Sequence, residues 1–304
     1  MSHNKYKRFL LFYKMEINRA NIQGKLEYIL MLLIAFFLPL SKKIIPLLII
    51  ALVLNWLVEG RFIEKFKNIR NNRLVFLFVS FYLIHLIGLL YSENIRFGLF
   101  DLEVKLSLLI FPILFFSCKP INSKMIFNVF LSFYFGVFTA AIICLANALI
   151  IYLRTGHIAF FYGELSILMH PTYFAMYLNF AIVSMICFIL DKPGLLNNFF
   201  RNVFLFIILF FTFFIILLSS KAGIICSVFI FTISFLYFLL RFKNTVRILI
   251  FTASVLLLYF ITFKYIVSHN YQRITQAEKT FTESMYIEKS TPESNRVRIF
   301  IWEV

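Results

Sequence analysis

An isolated lysine in a long apolar stretch is the first residue whose type and position could do chemistry. Lys221 lies in the segment Leu-Leu-Ser-Ser-Lys-Ala-Gly, and it is the one charged residue between Arg201 and Arg241. A lysine at a membrane boundary either extends its ammonium group to the interface as an anchor or binds an anion such as phosphate. On general grounds the two roles are about equally common. The isolation of Lys221 favours the anion-binding role.

The apolar stretch around this lysine must fold back on itself. It is 39 residues long, and a single helix of that length would extend about 58 Å at about 1.5 Å per residue. A hydrocarbon core is only about 30 Å thick. We therefore expect two spans, 202–220 and 222–240, that meet at a polar corner formed by Ser219, Ser220 and Gly223. The corner places the lysine at one face of the membrane.

Acidic residues and a histidine near other predicted span ends could support such a site. Asp101 and Glu103 could hold a divalent cation or act as a base. The four-residue spacing of Asp101 and Lys105 instead favours a helix-surface ion pair, which is the preferred interpretation. His170 directly precedes Pro171 at the start of an apolar run. Proline is favoured in the first helical turn, so a capping or interfacial role is expected for the histidine.

The C-terminal segment 294–304 predicts an amphipathic helix on the membrane surface. Arg298 and Trp302 are four residues apart and share a face of this helix, whereas Arg296 points elsewhere. Taken alone, the segment is slightly more typical of an aromatic and basic membrane belt than of an anion site.

The composition indicates a polytopic membrane protein. Hydrophobic residues make up 62% of the chain, 42 residues are phenylalanine and 14% are charged, which excludes an ordinary soluble domain. The net charge of +16 comes from basic residues in short loops. These are better explained as topology signals than as contacts to nucleic acid, so no nucleic-acid partner is expected. The four cysteines lack paired metal spacing, and neither a metal nor a cofactor is expected.

Nine apolar runs predict an all-α bundle of nine transmembrane helices. The runs are 28–40, 44–58, 74–91, 102–117, 125–153, 171–190, 202–220, 222–240 and 248–263. We therefore expect a basic N-terminal segment at 1–27, the bundle at 28–263 and an incomplete loop at 264–304. His85 lies inside the third run and is expected to hydrogen-bond a neighbouring helix.

The lysine and arginine counts predict the orientation of this bundle. With a cytoplasmic N-terminus, the inner segments hold 18 of these residues and the outer segments before residue 264 hold 6. This asymmetry follows the positive-inside rule. The polar residues that then fall on the outer face are Asp101, Glu103, Lys105, His157, Glu164, His170, Lys221 and those of the segment 264–304. We expect any chemistry on that extracytoplasmic side.

Three stretches, in their order and spacing, resemble the O-antigen ligase family of membrane transferases in surface-polysaccharide assembly. The first is Tyr-Ser-Glu-Asn at 91–94, which leads into Phe-Asp-Leu-Glu-Val-Lys-Leu-Ser at 100–107. The second is His-Pro-Thr-Tyr-Phe at 170–174, and the third is Leu-Ser-Ser-Lys-Ala-Gly at 218–223 with the later Arg298 and Trp302. The resemblance covers essentially the whole chain. The family has arginine where this chain has Lys221, which supplies a point charge instead of a bidentate contact.

The resemblance implies a GT-C-like glycosyltransferase in the bacterial inner membrane, with residues 264–304 in the periplasm. Lys221, Arg298 and Arg296 would bind the diphosphate of a polyprenyl-linked glycan donor, and the acceptor would be lipid A-core or a similar glycan. Neither a metal nor a cofactor would take part, and membrane lipids would surround the bundle. The residues expected to support the site are Asp101, Glu103, Lys105, His170 and Tyr173.

The family also has a catalytic histidine in an outer loop after the arginine and tryptophan segment, followed by further spans. We therefore expect this chain to be C-terminally truncated, and His269, which precedes that segment, is not assigned the role. Three alternatives stay open: a polymerase that extends the lipid-linked repeat unit, a flippase or other transporter, and a non-catalytic binding fragment. A transporter should show internal repeats and charges near the membrane midplane, and neither is evident in the sequence.

Overall fold

The computed structural model describes residues 22–92, 94–117, 122–191 and 197–241, and all regular structure in these residues is helical. Two compact units divide the chain, residues 1–220 and 221–304, and each is described by itself. The first described helix, α1, covers residues 22–37. The others are α2 (Ile44–Glu59), α3 (Phe62–Arg70), α4 (Arg73–Gly88), α5 (Ile95–Lys105), α6 (Ser107–Ser117), α7 (Ser123–Thr155), α8 (Tyr162–Leu165), α9 (Pro171–Asp191), α10 (Asn198–Leu217) and, in the second unit, α11 (Lys221–Arg241).

Several of these helices are long and apolar enough to cross a membrane. Within the described residues they are α4 with the 3₁₀ turn that follows it, α7, α9 and α10, and the pair α2 and α3 counts as a fifth candidate although it is bent by 112°. The predicted all-helical fold is therefore confirmed for the described residues, as is the presence of four or five helices that could cross a membrane. The count of nine spans stays a prediction, and the run 248–263 and the loop 264–304 lie outside the described residues.

Four details differ from the sequence prediction. The run 102–117 was predicted as one span, but it is divided between α5 and α6, with a turn at Leu106. The segment 59–73 was predicted as a loop and contains α3. Helix α1 includes residues 22–27, which were assigned to the N-terminal segment. His85 was expected to bond to another helix, but its Nδ1 lies 2.8 Å from the carbonyl oxygen of Phe81 in its own helix.

Helices α1 and α7 run parallel and lie very close together. The side-chain amide of Asn128 donates to the hydroxyl of Tyr28 at 2.8 Å. Four residues further along both helices, the hydroxyl of Ser132 donates to the carbonyl oxygen of Leu32 at 2.8 Å. After four more residues, Gly136 faces the carbonyl of Phe36, with no room for a side chain between them. Small and polar residues at four-residue spacing thus permit this approach, as is common in membrane bundles.

Helices α7, α9 and α10 form the core of the first unit. In α7 and α9 the aromatic rings of Phe127 and Phe188 pair at one end, and those of Phe133 and Tyr177 pair further along, so the two helices are antiparallel. Helix α10 is antiparallel to α9 and parallel to α7. The side chains of α7 that are completely buried include Val137, Ala140, Ala141, Cys144 and Ala148. Their small size lets the larger side chains of the neighbouring helices pack closely.

These directions define two faces of the bundle. The basic face is the end where α1, α7 and α10 begin, near Lys124 and Arg201. Helix α2 ends there too, because Asn55 near its end donates to the carbonyl oxygen of Gln23 near the start of α1, at 3.2 Å. The histidine face is the opposite end, with His157 between α7 and α9. Consecutive predicted spans should cross the membrane in opposite directions. The relative directions of α1, α2, α7, α9 and α10 agree with this expectation.

Much of the outer surface is apolar. Within α4 only 6% of the span is buried, and most of its leucine, isoleucine and phenylalanine side chains are exposed. Exposed apolar area of this extent would be costly in water and favourable in a hydrocarbon environment. This pattern supports a membrane location, with α4 at the periphery of the bundle and α9, half-buried along its span, at the centre.

Candidate functional site

The helix is interrupted at residues 218–220, where the sequence predicts a polar corner. Helix α10 ends at Leu217 and the next helix begins at Lys221. Ser219 has a φ of 47°, a left-handed conformation that is uncommon for a residue with a side chain. Its N–H donates to the carbonyl of Ile216 at 3.0 Å, which satisfies the backbone at the helix end. Ser219 therefore terminates α10 by its backbone conformation.

Gly223 does not form part of this corner. The sequence predicts a bend at this residue because glycine adopts left-handed conformations readily. The residue instead lies inside α11, and its carbonyl oxygen accepts a hydrogen bond from the hydroxyl of Ser227 at 2.8 Å. The bend is thus confined to residues 218–220. Lys221 is exposed and is the first residue of α11.

His170 has the capping role that the sequence predicted. Its Nδ1 accepts a hydrogen bond from the backbone N–H of Thr172 at 3.3 Å, and Pro171 is the first residue of α9. A nitrogen that accepts a hydrogen bond carries no proton, so the proton of the neutral ring is on Nε2. The imidazole is exposed, and its edge contacts the ring of Tyr173, with the ring centres 6.0 Å apart. In the neutral ring, the Nε2–H is then the remaining donor.

A second histidine at the same face forms a pair that the sequence analysis did not predict. Nε2 of His157 lies 3.0 Å from a carboxylate oxygen of Glu164, and both side chains are largely exposed. The carboxylate comes from the short helix α8, which begins at Tyr162 in a left-handed conformation with a φ of 53°. The sequence placed both residues in the same outer loop. Residues 158–161 between them are not helical, so a helical spacing of seven residues could not have linked them.

The histidine face brings two of the predicted features to one end of the bundle. Helix α7 ends at this face, α9 begins there with His170, and α10 ends there because it runs parallel to α7. The ring of Phe174 near the start of α9 lies against that of Phe214 near the end of α10, with centres 5.1 Å apart. The corner that precedes Lys221 and the cap of α9 are therefore at the same level of the bundle.

The predicted acidic cluster is an ion pair. The ammonium group of Lys105 lies 2.5 Å from the carboxylate of Asp101, one helical turn earlier in α5, which confirms the structural interpretation of these two residues. Glu103 is exposed. The hydrogen bonds and ion pairs of these three residues do not reach His170 or Tyr173, and no cluster of three or more metal-ligating side chains occurs in the described ranges.

The remaining predicted site residues, Arg296 and Arg298, lie outside the described residues.

No family model, curated protein or solved structure matches this chain. The assignment of a function therefore depends on the residues themselves and on the resemblance described above.

Proposed function

We propose that this protein is a membrane glycosyltransferase of the O-antigen ligase type, with its site at the histidine face. The observation that carries the proposal is the shared level of the Ser219 corner and the His170 cap, which are two of the three stretches that resemble the family. They are 49 residues apart in the chain. The proposal includes nine spans in a GT-C-like arrangement, a cytoplasmic N-terminus and a periplasmic histidine face in the bacterial inner membrane.

The reaction transfers a glycan from a polyprenyl diphosphate to lipid A-core or a similar acceptor. An acceptor hydroxyl attacks the anomeric carbon, the bond from that carbon to the diphosphate oxygen breaks, and polyprenyl diphosphate leaves. Negative charge develops on the leaving group. Fixed cations near it lower the barrier, and such electrostatic stabilisation is usually the largest contribution to catalysis. Lys221, Arg298 and Arg296 supply these cations without a metal.

Two residues at the start of α9 support this role. The Nε2–H of His170 is a donor at the histidine face, and the ring of Tyr173 is 60% exposed beside it. Both groups can donate to a phosphate oxygen. In this proposal Asp101 and Lys105 have a structural role, because they form an ion pair with each other within α5. Glu103 is exposed in the same helix.

Complementation separates the proposed function from its alternatives. The complete gene is expressed in a bacterial strain that lacks its O-antigen ligase and in one that lacks its O-antigen polymerase. Transfer of glycan to lipid A-core in the first strain alone is the expected result. Rescue of chain length in the second strain alone would assign a polymerase. If the gene rescued neither strain but did rescue a strain that lacks its flippase, the proposed transferase activity would be wrong.

The proposed orientation has its own test. Alkaline phosphatase fused after residue 160, in the loop between α7 and α9, is expected to be active because it folds in the periplasm. A green fluorescent protein fused there is expected to be dark, since it does not fold when exported through the general secretory route. The opposite pattern would place the histidine face in the cytoplasm and exclude the proposed reaction there.

A further inference from the structure

Helix α3 leaves α2 at a sharp turn on the basic face. Gly60 and Arg61 both have positive φ values, 70° and 54°, and the axes of α2 and α3 are bent by 112°. If α2 crosses the membrane along its normal, α3 lies within about 22° of the membrane plane. A nine-residue helix at this position is too short to span. It is oriented to lie in the interface between lipid and water.

One side of α3 is bound firmly to the bundle. The ammonium group of Lys65 is buried, lies 2.9 Å from the carboxylate of Glu59 and donates to the carbonyl oxygen of Trp56 at 2.6 Å. It is also 4.4 Å from the centre of the Trp56 ring, within range of a cation–π contact. Asn68 donates to the carbonyl oxygen of Ser117 at 3.1 Å. These contacts fix the rotation of α3 about its own axis.

The opposite side of α3 combines two apolar and two basic side chains. The name "outward side" is used below for four residues of α3: Ile63, Phe66, Lys67 and Arg70. The last three follow Ile63 by three, four and seven residues, so all four lie on one face of the helix. Ile63 is 88% exposed and Phe66 is 67% exposed. A fixed helix that presents such large apolar side chains beside basic ones is typical of a segment at a membrane surface.

The basic groups near the outward side have no acidic partner among the described residues. Lys67, Arg70 and the neighbouring Arg73 are exposed, and none of them forms an ion pair within the part of the chain that the structure describes. Glu64 pairs with Arg61 at 3.6 Å. Residues 61–73 contain five basic residues and one acidic residue. This local positive charge is complementary to an anionic surface.

We propose that α3 binds the anionic phospholipid headgroups of the membrane that holds the protein. The side chains of Ile63 and Phe66 enter the acyl boundary, and those of Lys67, Arg70 and Arg73 extend to the lipid phosphates. Long basic side chains reach headgroups in this way while their aliphatic parts stay in apolar surroundings. Each basic group near an anionic surface contributes to the attraction. The proposal does not depend on the proposed glycosyl transfer.

Lipid that remains bound during extraction tests the charge component. The protein is extracted from the membrane in styrene–maleic acid discs, and the ratio of phosphatidylglycerol to phosphatidylethanolamine is measured by mass spectrometry. We expect the triple variant K67Q/R70Q/R73Q to lower the excess of phosphatidylglycerol over the bulk membrane about threefold. The matched control is K42Q/K43Q/R154Q, three exposed basic residues at the other face, for which the excess stays within the error of wild type. Equal ratios in wild type and both variants would overturn the proposal.

Insertion of the outward side is tested by a spin label. The four cysteines of the full-length protein are replaced by serine, and a spin label is attached to the single cysteine of the I63C variant. The labelled protein is reconstituted into phosphatidylglycerol vesicles. A protein labelled in the same way through I158C, on the histidine face, is used for comparison. We expect the label at residue 63 to be more accessible to oxygen than to a nickel chelate, as in a bilayer. Greater accessibility to the chelate would overturn the proposal. The proposal would also be overturned if the label were shielded from the chelate only at a high ratio of protein to lipid. That result would indicate that the outward side contacts a second copy of the chain.

Discussion

The side-chain amide of Asn128 in α7 donates a 2.8 Å hydrogen bond to the hydroxyl of Tyr28 in α1, 100 residues earlier in the chain. This contact begins a series that continues with Ser132 and ends at Gly136, where the two helix backbones are closest. Two hydrogen bonds and one glycine therefore set the spacing, the rotation and the parallel direction of these helices.

Gly136→Ala is expected to destabilise the protein. A Cβ at this position would overlap the backbone carbonyl of Phe36, which cannot move without displacing α1. Overpacking of this kind costs about 1–3 kcal/mol. The free energy of unfolding in mixed micelles, from a denaturant titration followed by circular dichroism, measures the effect. Gly163→Ala is the control, since no atom lies within 4 Å of its Cβ position. Equal stability of the two variants would contradict the close packing of α1 on α7.

Lys65→Met is expected to cost about 3 kcal/mol or more of unfolding free energy. The change leaves the carboxylate of Glu59, which is 19% exposed, without its cation, and the loss of one member of a buried ion pair is strongly destabilising. Lys67→Met two residues later is exposed and should change the free energy by less than about 0.5 kcal/mol. The same titration compares the two variants. A smaller loss for Lys65 than for Lys67 would show that the buried pair is not formed.

Substitutions of His170 separate its capping role from a role in transfer. Asparagine at a helix N-terminus accepts the same backbone hydrogen bond, so His170→Asn should keep the stability, whereas His170→Ala should lose about 1 kcal/mol. If the Nε2–H contacts the diphosphate, both variants should transfer glycan more slowly. The rate is measured in membranes at matched protein amounts. Normal transfer by His170→Asn would restrict this residue to capping.

Lys221→Ala is expected to reduce glycan transfer by about 100-fold to 1000-fold, the usual cost of losing one donor to a developing negative charge. Lys221→Arg should retain much of the rate because it keeps the positive charge. Transfer is followed by the loading of lipid A-core in the complemented strain, with expression checked by immunoblot. Normal loading by the alanine variant at normal expression would leave Lys221 as an interfacial anchor.

The helices could be predicted from the sequence because long apolar runs leave few alternatives in a membrane. The break after Leu217, the helix start at Pro171 and the pairing of Asp101 with Lys105 all follow from local spacing. Helix α3 could not be predicted in this way, because its position depends on a lysine that is buried against α2. The count of lysine and arginine residues used for the orientation places Lys65 in a loop. In the structure its ammonium group is buried and pairs with Glu59 of α2, a contact that the count does not detect.

Single features of the candidate site could be predicted from the sequence, but the contacts between residues of different segments could not. The cap formed by His170 and the corner before Lys221 depend on neighbouring residues, which the sequence shows directly. The pair of His157 and Glu164 depends on how the loop between α7 and α9 folds, with a left-handed residue at Tyr162. Single-sequence patterns carry little information about such a loop.

The contact between α1 and α7 also affects the order of assembly during synthesis. At roughly 5–20 residues per second, the ribosome completes the region of Asn128 about 5–20 seconds after that of Tyr28. During this interval α1 has been synthesised and its parallel neighbour has not. Until α7 is made, the hydroxyl of Tyr28 and the carbonyl oxygen of Leu32 therefore lack the partners that they have in the folded protein.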